Sequence, residues 1–354
     1  MQTILATGGC GFIGSHTCVE FLLSGYRVII LDSLINSSEE TINKIREIVS
    51  LTDPKIPDNL YFVKSDIRDT EYLRYLFLSE KNKGKNIDGV IHFAGLKSVY
   101  ESTIKPLDYW DVNLGGTLSL LKVIKENDCK VIIFSSSATI YSPLSKSPIN
   151  EEQEINPINP YGDTKASVEK ILDNFYNSNK MKISIASLRY FNPVGAHESG
   201  LIGEKPNGVP NNIFPLINNV ASGKMKELKI FGNDWDSEDG TGVRDYVHVM
   251  DVADGHLKTF NYLMKNQSLN LKINLGTGKG TSVLKLLEVF QKVNKIKVRY
   301  SFAERREGDL GVIFADNSLA YKLLKWIPQR TIDDMCRDAW QWQSKNIESC
   351  ENNE

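Results

Sequence analysis

TGGCGFIGSH, Thr7 to His16, holds four glycines in seven positions close to the amino terminus. Ordering a glycine costs more backbone entropy than ordering any other residue, so such a cluster answers a geometric need. Ahead of it, residues 4–6 read as a short buried strand; behind it, Cys18, Val19, Phe21 and Leu22 fall near helical spacing. The glycines therefore sit in a strand-to-helix turn. Gly9, Gly11 and Gly14 satisfy G-x-G-x-x-G, while Gly8, Gly11 and Gly14 recur every three residues. A turn of this kind bends tightly, brings backbone close to a diphosphate and packs helix on strand. The free N–H groups and positive dipole end of the helix meet the anion. The next apolar run, residues 28–31, ends in Asp32. An acid there accepts from adenosine ribose hydroxyls and repels a 2′-phosphate, which points to NAD(H) rather than NADP(H). Cys10, inside the turn, reads as a small filler beside that cofactor, with a redox switch as the alternative.

The chain has 354 residues, 41% hydrophobic, with a net charge of −2. That is enough for two domains and describes a soluble globular protein without the basic field nucleic acid demands. No apolar run approaches the roughly 20 residues that span a bilayer. The first strand follows Met1 at once, leaving no room for a signal peptide, and five cysteines without C-x-x-C fit a reducing cytosol. The expected location is cytoplasmic, with neither nucleic acid nor membrane as partner.

Short apolar runs at 28–31, 60–63, 90–93, 131–134 and 183–188 alternate with helical patterns such as 117–126. This alternation predicts a Rossmann-type α/β fold, a doubly wound parallel sheet covered on both faces. The polar stretches 51–59 and 79–86 read as exposed loops. A first domain spans 1–189. A second, smaller mixed α/β domain, 190–354, opens in a loop-rich stretch with Pro193, Gly195, Gly203, Pro206, Gly208 and Pro210, and some of its segments return to the first. Helices are expected at 283–293 and 332–343.

Two stretches imitate other sites. NLGTGKGTS, residues 274–282, misses the phosphate-loop spacing because Gly280 follows Lys279. It reads as a strand-to-helix loop capped by Thr281 or Ser282. HVMDVADGH offers His248, Asp251, Asp254 and His256 but no H-E-x-x-H, and no metal is expected.

Chemistry concentrates mid-chain. Ser135, Ser136 and Ser137 end a strand, where open α/β sheets bind ligands. NPYGDTK then starts a helix with Asn159 as cap, Pro160 in the first turn and Val168, Ile171, Leu172 and Phe175 as its buried stripe. Tyr161 and Lys165, four apart, share one face. A free phenol titrates near 10, too high for a base at neutral pH, but an adjacent ammonium and a nicotinamide cation both favour phenolate. Tyr161 then takes a hydroxyl proton while hydride leaves the same carbon, Ser137 bonds the same oxygen, and Thr139 assists.

With these stretches, and with VIHFAGLKSVYES, LRYFNPVGAH, GVPNN, IFGND, EDGTGVRDYVHVMDVADGH and RREGDL, the chain resembles the extended short-chain dehydrogenase/reductase superfamily, and within it the UDP-glucose 4-epimerases, from about Gln2 to Gln343. The resemblance implies an isomerase with tightly bound NAD regenerated each turnover. Such an enzyme interconverts UDP-galactose and UDP-glucose at C4 through a 4-keto sugar. By similarity Tyr161, Lys165 and Ser137 are catalytic. Cofactor contacts map to Gly8, Gly11, Phe12, Ile13, Gly14, Asp32, Asp66, Ile67, Phe93, Ala94, Lys97, Asn113 and Tyr190, with Ser137, Tyr161 and Lys165. UDP-hexose contacts map to Asn192, Asn212, Arg244, Arg306 and Asp309, with Lys97, Ser137 and Tyr161. A homodimer through the helices at 117–126 and 164–176 is implied as well.

The sequence departs from the pattern at Asp163, Thr164 and Ser142. Ile313 stands where family members differ in bulk and where size governs room beside C2 of the sugar, so some activity on N-acetylated UDP-hexoses is expected. The competing functions are a nucleotide-sugar decarboxylase or 4,6-dehydratase and a non-catalytic cofactor sensor. A dehydratase needs an acid pair after the serine, where this chain has Ala138 and Thr139; a sensor often lacks the Tyr or Lys, and both are kept.

Overall fold

In the computed structural model, which describes residues 1–178, 183–205, 210, 212–306 and 308–351 (only the backbone of 347–351), β1 (Thr3–Thr7) is buried at every position. So is β2 (Arg27–Asp32), because both run through the middle of a sheet covered on two faces. The first half continues as α1 (Phe12–Leu23), α2 (Glu40–Ser50), β3 (Leu60–Lys64), α3 (Thr70–Asn82), β4 (Ile87–His92), α4 (Val99–Ile104), α5 (Pro106–Tyr109), α6 (Gly116–Lys125), β5 (Val131–Ser137), α7 (Pro160–Ser178) and β6 (Ser184–Tyr190). A π-helical turn, Trp110–Gly115, joins α5 to α6.

The second half contains β7 (Asn192–Val194), α8 (Ile213–Ala221), β8 (Leu228–Phe231), β9 (Val243–Arg244), β10 (Tyr246–His248), α9 (Val249–Lys265) and β11 (Asn270–Leu275). After these come β12 (Thr281–Ser282), α10 (Val283–Asn294), β13 (Tyr300–Ala303), β14 (Val312–Ile313), α11 (Ser318–Leu324) and α12 (Ile332–Glu351). Seven strands form one sheet in the order β11-β6-β5-β4-β1-β2-β3, every neighbouring pair parallel. The chain runs outward from β1 to β3, then crosses back to β4 and runs the other way. The carboxyl ends of β1 and β4 thus flank the switch point where such sheets take ligands.

One face of the sheet packs Val19, Phe21 and Leu22 of α1 against Val252, Phe260 and Leu263 of α9. The other packs Leu73 and Phe77 of α3, Leu120 and Ile124 of α6, and Val168 and Leu172 of α7. A separate core joins Phe214, Ile217, Leu228, Ile230, Leu287, Phe290 and Cys336 around the small strand pairs of the second half. β11 and α9, late in the sequence, belong to the large sheet and its cover.

Two expected loops are partly ordered into helix. Residues 79–82 finish α3, whose Leu73, Leu76 and Phe77 are buried and hold the polar last turn against the sheet. The stretch 51–59 closes in a single 3-10 turn, Ile56–Asn59. Pro206 and Gly208 lie outside the described residues. Among the described residues no helix is long and apolar enough to cross a membrane.

Candidate active site

The amino end of α7 is built by its cap. Asn159 Oδ1 accepts from the Gly162 N–H at 2.9 Å. A Cβ on Gly162 would meet the Thr139 carbonyl at 2.8 Å, so only glycine lets the helix start this close to the tip of β5. That approach brings Tyr161 and Lys165 to the strand carrying Ser135–Ser137. Lys165 is 5% exposed and its ammonium donates to the Ser135 carbonyl at 2.7 Å. The same Nζ lies 4.8 Å from the Phe134 ring centre and 5.7 Å from that of Tyr161. Burial takes the Lys165 pKa down to about 8. Ser137 Oγ accepts from Thr139 N at 3.2 Å and Thr139 Oγ1 at 2.9 Å. Tyr161 is half-buried, its ring edge-on to Tyr109 at 6.5 Å.

The protein's own groups act on the phenol chiefly through burial rather than through the Lys165 charge. Burial pushes the Tyr161 pKa up to about 12; the lowering comes from a hydrogen bond with Ser137. Lys165 stands beside the ring and is spent on a carbonyl, so withdrawal of the phenol from water wins.

The glycine turn has the shape expected of a diphosphate cradle. Gly8 adopts φ +71°, and a Cβ there would stand 2.6 Å from Ala94 N, so the turn touches the end of β4. Gly8 N–H donates to Leu31 O at 2.8 Å, and Phe93 N–H to Thr7 O at 2.9 Å. Gly11 precedes α1 without a side-chain cap, and no acid lies in the first turn, which carries Phe12, Ile13 and Gly14. Asp32, 6% exposed, closes the cradle: Oδ2 accepts from Cys10 N, and Oδ1 from Leu34 N and Ser37 Oγ. A buried carboxyl held by three donors at the end of β2 fits the ribose of a dinucleotide. These residues fit a dinucleotide.

Farther along, Asp66 is forked by Arg68, which holds its carboxyl below the usual range. Ile67 is buried against Gly116. Asn113 sits in the π-helical turn, where its amide is fully engaged: Oδ1 accepts from Leu96 N, and Nδ2 donates to Leu96 O and Thr164 Oγ1. Asn113 therefore shapes the loop after β4 and ties it to α7. Tyr190 ends β6. His256 Nδ1 lies 2.8 Å from the Val252 carbonyl, which can only accept, so Nε2 accepts from the Tyr190 hydroxyl at 2.6 Å. Burial keeps His256 neutral, its pKa down at about 4, and its ring lies 5.0 Å from Phe93.

The expected sugar-nucleotide residues gather in two places. Lys97, from the loop after β4, and Asn212, before α8, both donate to Glu204 Oε1, at 2.9 and 2.5 Å. Glu204 is only 8% exposed. Nothing in the sequence near Glu204 announced this link between the two halves. The second group is Arg244, Arg306 and Asp309. Arg306 forks Asp309 at 2.9 and 3.2 Å, and the charges of both act on Arg244. Burial lowers the Arg244 pKa. Arg244 pairs in register with Ile313, which packs against the small core of Ile140, Tyr141, Ile149, Phe191 and Ala315. Asn192 opens β7 opposite Tyr246, half-buried.

The two imitations have structural work. Ser282 caps α10, accepting from Lys285 N at 3.1 Å. His248 caps α9 through Nδ1, with Nε2 on Asp338, and Asp251 holds Arg330.

Comparison with known proteins agrees with this geometry. The family model described as GDP-mannose 4,6 dehydratase matches residues 5–339. A UDP-glucose 4-epimerase of Bacillus subtilis is 46% identical over 346 residues, 98% of each chain. The crystal structure of UDP-glucose-4-epimerase from Stenotrophomonas maltophila, with bound NAD and formylated UDP-arabinopyranose, is 42% identical, with TM-score 0.92 over 99% of this chain and 100% of that one. The UDP-glucose 4-epimerase of Bifidobacterium longum, in complex with NAD+ and UDP, is 43% identical, with TM-score 0.89 over 98% and 99%. With the epimerase match running through both the dinucleotide turn and the Arg244–Arg306 group, the chain belongs to the UDP-glucose 4-epimerases of the extended short-chain dehydrogenase/reductase family.

Proposed function

We propose that this protein interconverts UDP-galactose and UDP-glucose by inverting C4 of the hexose, with NAD resident throughout. The observation that carries the reading is the meeting of Tyr161, Lys165 and Ser137 at the tip of β5, beside the switch point where the glycine turn lies. Bound NAD+ supplies the acceptor for hydride from C4 and the donor that returns it to the other face of a 4-keto sugar. Tyr161 takes the proton from the C4 hydroxyl and gives it back. Ser137 bonds the same oxygen, and Thr139 donates to Ser137, which fixes the direction of that hydroxyl. In the unliganded protein the phenol is too basic for this task, so its acidification falls to the nicotinamide cation, with Lys165 as a fixed neighbouring charge. Asp32 and the glycine turn hold the dinucleotide. Arg244 and Arg306 suit the sugar diphosphate and Asp309 the uridine ribose.

The dehydratase and decarboxylase alternatives are not favoured. Where a dehydratase needs its acids, Ala138–Ile140 form a 3-10 turn. Ile313, smaller than an aromatic residue and packed against the small core that includes Ile140, supports a side activity on UDP-GalNAc and UDP-GlcNAc. A homodimer is proposed through α6 and α7, with Leu118 left on the surface of α6, and light scattering tests it. A cytoplasmic location fits four buried free thiols, Cys10, Cys18, Cys129 and Cys336.

The test is direct. Purified protein is given UDP-galactose without added NAD, and UDP-glucose is sought. Formation of UDP-glucose without accumulating NADH is expected; a protein free of nicotinamide nucleotide and inert to both sugars overturns the reading.

A further inference from the structure

Tyr161, Lys165 and Glu169 lie four apart on α7, and the proposed chemistry uses only the first two. Glu169 is 5% exposed. A carboxylate so far from water is costly unless paired. Arg189 on β6 forks it, Nε to Oε1 at 3.0 Å and Nη2 to Oε2 at 2.7 Å. Ser136 Oγ donates to Oε1 at 2.6 Å. Arg189 Nη1 reaches the Tyr141 hydroxyl at 2.9 Å and the Glu151 carbonyl at 3.0 Å. Tyr141 then donates to Asn274 Oδ1 on β11 at 2.6 Å, and Asn274 Nδ2 to Ile149 O at 2.9 Å. Ile149 N–H donates to the carbonyl of Phe314, the residue after Ile313.

We infer that Glu169 and Arg189 are positioning residues of this active site, the joint that sets the catalytic helix against both the serine strand and the Ile313 strand. The inference rests on the roles proposed above for Tyr161 and Lys165. Its physical content is a two-point attachment. Lys165 bonds Ser135 and, one helical turn on, Glu169 bonds Ser136. Two bonds from successive turns to successive strand residues fix the translation and the rotation of α7. Val168 and Leu172 hold the middle of the helix in the core and Asn113 holds Thr164, so losing one bond loosens rather than frees its amino end, where Tyr161 sits. Stability alone does not require the pair, because buried ion pairs are often replaceable by apolar residues at no cost.

Ser136→Ala removes one anchor without changing charge. Glu169→Gln with Arg189→Met removes the pair and leaves no orphaned ion. Both are made in the full-length holoenzyme, with and without Tyr161→Phe, and three quantities are read: kcat and KM, nucleotide content, and the phenol titration of Tyr161 as a difference absorbance. Ser136→Ala is expected to lower kcat about ten-fold while KM for UDP-galactose stays within about two-fold. The Tyr161 titration should move upward as its bond to Ser137 loosens, with nucleotide content unchanged. The double variant, if folded, should lose more turnover than Ser136→Ala. Ser136→Ala with parental kcat and an unshifted titration overturns the inference, whether or not the double variant folds. An inert parent would sink the epimerase reading instead, and the phenol titration would still decide the joint.

Discussion

The Lys165 ammonium is anchored across 2.7 Å to the carbonyl of Ser135, two residues before Ser137, the serine proposed to bond the reacting oxygen. A cation withdrawn from water and held by one carbonyl is under strain, which its pKa of about 8 expresses. Replacing it separates stability from catalysis. In the nucleotide-free protein at pH 7, Lys165→Met should raise the melting temperature, because a buried charge is exchanged for an apolar chain of similar length. The same variant should lose about 10²-fold or more of turnover. A lowered melting temperature would mean the ammonium stabilises the fold.

The pH dependence of stability follows from the same group. Between pH 8 and 10.5 the unfolded chain holds a proton on this lysine that the folded chain has released, so stability rises with pH across that window. From pH 10 to 12 the raised Tyr161 pKa works the other way, because the folded phenol keeps its proton and stability falls. Urea melts of parent, Lys165→Met and Tyr161→Phe at pH 7, 9 and 11 check both signs: each variant should flatten its own window only.

Tyr161→Phe should keep its nucleotide and its fold yet lose about 10²–10⁴-fold in kcat, the usual worth of a positioned acid/base. Turnover at the parental level would assign the base elsewhere.

Gly8→Ala places a methyl 2.6 Å from the backbone of Ala94 in a left-handed conformation. Strain of about 1–3 kcal/mol and loss of bound nucleotide are expected together. Nucleotide released on denaturation measures the second, and a melt the first.

Ile313→Tyr adds bulk at the edge of the small core that holds Ile140 and Phe191. The parent should turn over UDP-GalNAc, and the variant should lose that activity while retaining most of its activity on UDP-galactose. No turnover of UDP-GalNAc by a parent fully active on UDP-galactose removes the side activity.

What could be read from the chain was whatever is encoded locally. The glycine turn, Asp32 and the Tyr161–Lys165 pair declare themselves through short spacings and element periods. Asn159 and Ser282 declare themselves as caps. The Arg244, Arg306 and Asp309 group came from resemblance alone, since nothing near any of them points to the others. Glu169 carried a faint signal, being one turn beyond Lys165. An acid on a helix reads as solvated, however, and its countercharge lies on β6. Glu204 gave no signal, because its partner Lys97 lies more than a hundred positions earlier and only folding brings the two together. The burial of the Tyr161 phenol was hidden for a related reason: sequence reveals a charged neighbour but not how much water has been removed.

Strand β11 has a consequence for how the polypeptide is made. It completes the margin of the large sheet beside β6, and Phe260 of α9 covers Phe21 and Tyr26. A nascent chain that has emerged only as far as β6 carries a raw strand edge and a bare aromatic cluster, both adhesive surfaces. The large sheet lacks its β11 margin until residue 275 has left the ribosome. Biogenesis therefore waits on the carboxyl-terminal third, and a shortened message yields an unfinished sheet in place of a working module.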